Sequence, residues 1–210
     1  MAAMPSTPTR RAPFEKSART RARILDSAAA VFSDLGYAGT RLTDIAEAAG
    51  VKQGSLYYHF SSKDELVAEM LRVGLQKTYD HVAAAVEALG PDATAADRIA
   101  AAITAHAEAV IDQLDYTAAN ARIVGQLPDE IRQQHLRIDQ RPYGKLWDTL
   151  FEEALKAGEI RDDVDLRTVR LLILGALNWT VEWPERAKRS PSHVAAVLSS
   201  LLFDGIGSSS

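Results

Sequence analysis

The 210-residue chain is predicted to be all-α, with a small three-helix unit at its N-terminus and a larger helical body behind it, about nine helices in all. Three observations carry that expectation. Apolar residues recur at spacings of three and four along most of the chain, the period of a helix buried on one side. No segment alternates with the period of two that marks a half-buried strand. Glycine and proline punctuate the periodic stretches at Gly36, Gly50, Gly90-Pro91, Pro128, Gly158 and Pro184, where they end helices or turn the chain.

The first helix is expected over about 18–35, with Leu25, Ala28, Phe32 and Leu35 on one face and Gly36 at its end. Leu42, Ile45, Ala46 and Ala49 fall at i, i+3, i+4 and i+7 and mark a short second helix. Thr40 stands where an N-cap would begin it, and Gly50 where a left-handed residue would close it. A third helix, about 53–60, buries Leu56 and Phe60 and turns Gln53, Ser55, Tyr58 and His59 outward, with Tyr57 divided between the two roles. Helices this short do not stand alone, so the pair must lean on the first.

Ser62 and Glu65 form a capping-box pattern that opens a long helix, about 63–89, with Leu66, Met70 and Val73 on one side. Helical pattern returns over 95–114 and again over 117–126, ending near Pro128. The next helix starts at about Asp129, bends at Pro142 and runs through Leu146, Trp147, Leu150, Phe151 and Leu155 to Gly158. Asp165 caps a helix over 166–183, and Ser192 caps a last one to about 203.

Composition narrows the classes of function. Zero cysteines exclude disulfides and thiolate metal sites. The opening MAAMPSTPTRRAPF has no apolar core of a secretory signal, and the most apolar run, 171–181, is shorter than the roughly 20 residues of a membrane span. A cytoplasmic protein with no membrane contact is expected. The net charge of −4 hides an asymmetry: residues 1–63 carry nine Lys and Arg against five Asp and Glu, net +4, and residues 64–210 carry fifteen against twenty-three, net −8. A positive head on a negative body fits nucleic-acid binding by the head. The basic residues Arg10, Arg11, Lys16, Arg19, Arg21 and Arg23 are placed to track phosphates. His59, His81, His106, His135 and His193 make no ligand pair at metal spacing, so no metal and no cofactor is expected. A G-x-S-x-G elbow, a phosphate-cradling glycine loop and a cysteine nucleophile are all lacking, so no enzyme is expected either.

The stretch GYAGTRLTDIAEAAGVKQGSLYYHFSSK carries a family signature. It resembles the DNA-binding domain of TetR-family transcriptional repressors, matching at Asp44, Ile45, Ala46, Ala49, Gly50, Val51, Gly54, Leu56, Tyr57, His59, Phe60 and Lys63. Where the family often has Ser or Thr, this chain has Lys52, so the third helix lacks its usual cap, a loss of about 0.5–2 kcal/mol. Residues 1–14, rich in Pro, Ser, Thr and Ala, are expected to be a disordered basic arm and 206–210 a flexible tail; the resemblance implies a head over 15–63 and a ligand-binding and dimerisation body over 64–205. It also implies a double-stranded, palindromic operator bound by a homodimer. Thr43, Lys52, Tyr58, His59 and Lys63 are expected mainly at phosphates and Gln53 and Ser55 at base edges, with Arg41 and Tyr57 completing the surface.

Helix 166–183 is apolar nearly all round: Val169, Leu172, Ile173, Ala176 and Leu177 make one face, and Leu171, Leu174 and Val181 another. One face then meets the core and the other a partner subunit, together with helix 192–203. Asn178 and Trp179 sit in that helix and need polar partners or a cavity. Asn120, Arg122, Gln126, Arg141 and Trp147 join them as ligand-binding candidates, each of which an intraprotein bond or an exposed face would equally explain. The phrase GALNWTVEW is similar to TetR members that answer to acyl-CoA thioesters, which implies a small hydrophobic, acyl-CoA-like effector. A multidrug-sensing repressor and a ligand-free architectural DNA-binding protein are the alternatives.

Overall fold

The computed structural model describes residues 11–183 and 190–206. Residues 1–10, the Arg186-Lys188-Arg189 cluster, Pro184 and the last four residues lie outside them, and with them most of the expected arm and tail. Ten α-helical segments are present and no strand is found among the described residues. Two of the ten run together through a π-turn, so the count of about nine holds.

Helix α1 (Arg11–Gly39) starts earlier than expected and is broken inside by Gly36, whose φ of 71° only glycine adopts at little cost. Ile24, Leu25, Ala28, Ala29 and Phe32 face the core; Leu35, expected with them, is half exposed because the kink follows at once. Thr40 does not cap α2 (Leu42–Ala48). Its buried hydroxyl donates to the Gly36 carbonyl at 2.7 Å, and the cap is made by Arg41, whose backbone N–H donates to Asp44 Oδ2 at 2.8 Å. Gly50, at φ 60°, closes α2 as expected: its N–H reaches Glu47 O at 2.9 Å and that of Val51 reaches Ala46 O at 3.0 Å, a Schellman pair. Helix α3 (Gln53–His59) follows, with no side-chain cap from Lys52.

Helix α4 (Lys63–Glu87) opens where Ser62 Oγ accepts the Glu65 N–H at 3.1 Å. Then come α5 (Ala95–Asp112), α6 (Leu114–Ile123), α7 (Asp129–Gln134), a π-turn (His135–Asp139), α8 (Arg141–Lys156), α9 (Leu166–Trp179) and α10 (Pro191–Ile206). The bend expected at Pro142 belongs to the π-turn instead. Gln140 N–H reaches back five residues to His135 O at 3.1 Å, and Pro142 sits in the first turn of α8, where its missing N–H costs nothing. Asp165 caps α9 through the Arg167 N–H at 3.1 Å, and α9 passes into a 3-10 turn (Thr180–Glu182) short of Trp183. Ser190 rather than Ser192 caps α10, accepting the His193 N–H at 3.2 Å.

Two apolar cores result. The first joins Ile24, Phe32, Ile45, Leu56 and Phe60 of the head to Leu66 and Met70 of α4, and also to Ala119 and Ile123 of α6. Helix α6 therefore completes the core of the head. The second gathers Ile99, Ile103, Trp147, Phe151, Ile173, Leu177 and Leu202 from α5, α8, α9 and α10. In α9 the buried positions are Ile173 and Leu177, while Leu171, Leu172 and Ala176 all face outward, so Leu172 and Ala176 leave the face expected for them.

Candidate DNA-binding and effector sites

Burying Leu56 at the centre of α3 forces its other side into solvent. Tyr58 is 81% exposed and Tyr57 49%. Gln53 and Lys52 are exposed as well, Ser55 and His59 are half-buried, and the Tyr58 and His59 rings meet edge-on at 5.2 Å. Arg41 and Thr43 are exposed at the start of α2. One surface thus carries an amide, two hydroxyls, two phenols, an imidazole and two cations. Lys63 is the exception. Its ammonium turns inward, donating to Tyr37 O at 2.9 Å and Thr40 O at 3.1 Å while lying 4.2 Å from the centre of the Tyr37 ring. Those carbonyls follow the Gly36 break, so this side chain ties the start of α4 to the end of α1. Arg21 is likewise engaged, paired with Glu69 at 2.9 Å and lying over the Phe60 ring.

Two of the ligand candidates belong to the joint between head and body. Gln126 Oε1 accepts the Tyr37 N–H at 3.0 Å, and its amide donates to Arg122 O at 3.0 Å. A Cβ at Gly36 would lie 3.0 Å from Gln126 Oε1 and 3.5 Å from Arg122 Nε. Among the described residues, neither lines the two body cavities that hold Arg141, Asn120 and Asn178. Tyr37 is the pivot of this joint: besides these bonds its hydroxyl meets Asp64, and burial followed by that carboxylate pushes its pKa up to about 12, which keeps it a donor. Trp179, expected to meet polar partners or to line a cavity, is 66% exposed on the outer face of α9.

The body holds a cavity of about 730 Å³ between the π-turn, α8 and α9. Arg141 and Asn178 line it, joined by Arg137, Lys145, Arg167 and Arg170, with Asp148 as the one acidic residue among the described residues there. Arg170 pairs with that aspartate; Arg137, Arg141 and Lys145 make no ion pair among the described residues. Arg137, Arg141 and Lys145 stand four apart in the sequence, a period that puts three cations on one helical stripe. The floor is polar. Tyr143 Oη lies 2.6 Å from His106 Nδ1, and His106 Nε2 lies 3.3 Å from Asn178 Oδ1. Burial holds His106 neutral, its pKa lowered to about 4, and pushes the Tyr143 phenol upward, so Tyr143 donates to Nδ1 and Nε2–H donates to Asn178. Trp147 stands behind this pair, wholly buried and edge-on to both rings.

A second cavity, about 60 Å³, lies between α4, α6 and the π-turn, with Asn120 and His135 in its wall and Asn178 shared with the first. Tyr143 carried no signal in the sequence, and His106 and His135 entered there only for metal spacing, because each of the three comes from a different element.

An exposed short helix presented by a helix-turn-helix, seated on a helical body with an anion-friendly cavity, defines a DNA-binding regulator with a sensor domain. Residues 24–70 match the family of bacterial regulatory proteins described as the tetR family, and residues 92–206 match the tetracyclin repressor-like C-terminal domain. The chain belongs to the TetR family. It is 31% identical over 194 residues to the HTH-type transcriptional repressor KstR2 of Rhodococcus jostii (strain RHA1), covering 92% of this chain and 93% of that one. Its fold is also that of the transcriptional regulator FadR from Bacillus subtilis in complex with stearoyl-CoA, with a TM-score of 0.74 and 23% identity over 88% of this chain and 98% of that one. AibR, solved with isovaleryl coenzyme A and operator DNA, superposes with a TM-score of 0.75 and 23% identity over the same shares.

Proposed function

We propose that the chain is a cytoplasmic repressor that holds a palindromic operator as a homodimer and releases it when an acyl-CoA-like effector fills the cavity beside α8 and α9. The basic rim of that cavity carries the effector half of the reading. Arg137, Arg141 and Lys145, unpaired among the described residues, gather positive charge on a body whose sequence is net negative, and they suit the phosphates of a coenzyme A carrier. The same rim disfavours the cationic drugs of a multidrug sensor. The neighbours solved with stearoyl-CoA and isovaleryl coenzyme A add support by analogy.

On the DNA side, α3 lies in the major groove with Gln53 and Ser55 at base edges. Arg41, Thr43, Lys52, Tyr58 and His59 hold phosphates, and Tyr57 packs at the groove edge. The outer stripe of α9 and α10, with Leu171, Leu172, Trp179, Val197 and Leu201, mates with its copy in a second subunit. The head comprises residues 15–63 and the sensor and dimerisation body residues 64–205. Effector binding shifts the balance by its greater affinity for a state in which α6 has moved against α1 and the two heads no longer fit successive major grooves.

Footprinting on DNA upstream of its own gene, followed by anisotropy titration, tests the proposal. Acyl-CoAs should release the operator where the free acids do not, and Arg141→Ala should keep DNA binding but lose that response. Gln53→Ala should cost about 1–3 kcal/mol of specific affinity and leave binding to random DNA nearly intact. Tight binding of a cationic compound alongside no response to any thioester would place the chain among the multidrug sensors instead.

A further inference from the structure

We infer that Asn178 is the donor that reads the carbonyl oxygen of the effector's thioester, and that the buried His106–Tyr143 pair sets its amide in the reading orientation. The inference rests on the acyl-CoA reading and deepens it. Arg167, Leu171, Leu174 and Asn178 recur at spacings of four, three and four, so they share one face of α9, and all four line the large cavity. Asn178 is half-buried on that face. There the wall changes from the two leucines to the polar floor of His106 and Tyr143.

The hydrogen-bond chain leaves the amide one orientation. His106 is 3% exposed and neutral, so its ring has a single N–H. Tyr143 Oη, 2.6 Å from Nδ1, keeps its proton and donates it there, which places the ring N–H on Nε2, 3.3 Å from Asn178 Oδ1. Turning the amide over would set its NH2 against that N–H, two donors facing each other. Oδ1 is thus committed to His106, and Nδ2, on the other edge of the amide, has no partner among the described residues. Nor is it sealed in the core. The side-chain atoms both sealed and unpartnered among the described residues are Gln113 Oε1, His135 Nδ1 and Trp147 Nε1, so the Asn178 nitrogen keeps open space beside it. An unpaired donor beside a cavity calls for an acceptor. The thioester carbonyl is the neutral acceptor at the junction of carrier and acyl chain. Asn178, one turn beyond Leu174, shares the cavity with Arg137 and Arg141, the cations proposed for the carrier.

The test is calorimetry of the full-length protein against matched pairs of coenzyme A ligands of equal chain length, each an acyl thioester and the S-alkyl thioether that has a methylene in place of the carbonyl. The methylene strands the Asn178 donor, so the thioester should bind about three- to tenfold tighter. Asn178→Leu should erase that preference and change thioether affinity by less than about threefold. His106→Leu, which frees the amide to turn over, should remove most of the preference, and His106→Gln, which returns an N–H donor, should restore part of it. Retained operator binding reports that each variant is folded. Equal binding within every pair by the wild-type protein, or a preference that survives Asn178→Leu, overturns the role of Asn178 and leaves the acyl-CoA reading standing. A preference lost as fully in His106→Gln as in His106→Leu overturns the positioning role of the histidine. Failure of every thioester and thioether to bind overturns the acyl-CoA reading as well.

Discussion

Gly74 of α4 offers a direct test of how the sensor grips the head. It is buried, and a Cβ there would meet Tyr116 of α6 at 2.7 Å from Cδ1, 3.2 Å from Cβ and 3.3 Å from Cγ. Tyr116 cannot swing aside freely. Its hydroxyl donates to Asp26 Oδ1 on α1 at 2.8 Å, and Lys77 lies 4.4 Å from its ring centre. In the wild-type background Gly74→Ala therefore combines two opposed effects. Alanine gains about 0.8–1.0 kcal/mol over glycine inside a helix, whereas overpacking costs about 1–3 kcal/mol. The net change runs from near zero to about 2 kcal/mol of destabilisation. With Tyr116→Ala the steric cost vanishes and only the helical gain remains. A double-mutant cycle by urea unfolding at fixed protein concentration should give a coupling of about 1–3 kcal/mol, and Gly74→Ala alone should weaken operator binding because α6 is forced off α1. A coupling below about 0.5 kcal/mol would show that the contact is not a grip at all.

Lys63→Met should cost about 1–3 kcal/mol in urea unfolding by freeing the Tyr37 and Thr40 carbonyls, with the salt slope of DNA binding unchanged; a slope lower by about one would restore the phosphate contact that the motif implies. Leu201→Glu, at a position 69% exposed on α10, should turn a dimer into a folded species near 22.8 kDa in sedimentation at micromolar concentration; an unchanged dimer would move the interface elsewhere. His106 binds a proton at about pH 4 when folded and at about 6.5 when unfolded, so below 6.5 the unfolded chain takes up the proton first. Stability should be full above pH 6.5 and fall by up to about 1.4 kcal/mol per unit towards pH 4, and His106→Gln should flatten that slope.

The head was legible in the sequence because its determinants are local. The spacing of Leu42, Ile45 and Ala46, the left-handed Gly50 and the buried Leu56 and Phe60 each act within a turn or two of the chain, so the outward set of α3 could be read without knowing what α3 packs against. The all-α class followed from the same short-range period. Even here tertiary structure decided some roles. Thr40 turned back to Gly36, and Lys63 turned inward to the Tyr37 and Thr40 carbonyls that follow the Gly36 break.

The sensor was legible only in outline. Whether Arg122 and Gln126 face a ligand or the Gly36 kink depends on how α6 docks on α1, two segments about ninety residues apart with no local signal linking them. Trp179 and Asn178 are neighbours in sequence, yet one is exposed and the other half-buried, because a helix turns about 100° per residue and the choice of buried side belongs to α5 and α8. The floor of His106, Tyr143 and Asn178 draws one residue from each of three helices. A sequence read along its own length carries the period of each helix, and only packing sets the rotation of one helix against another.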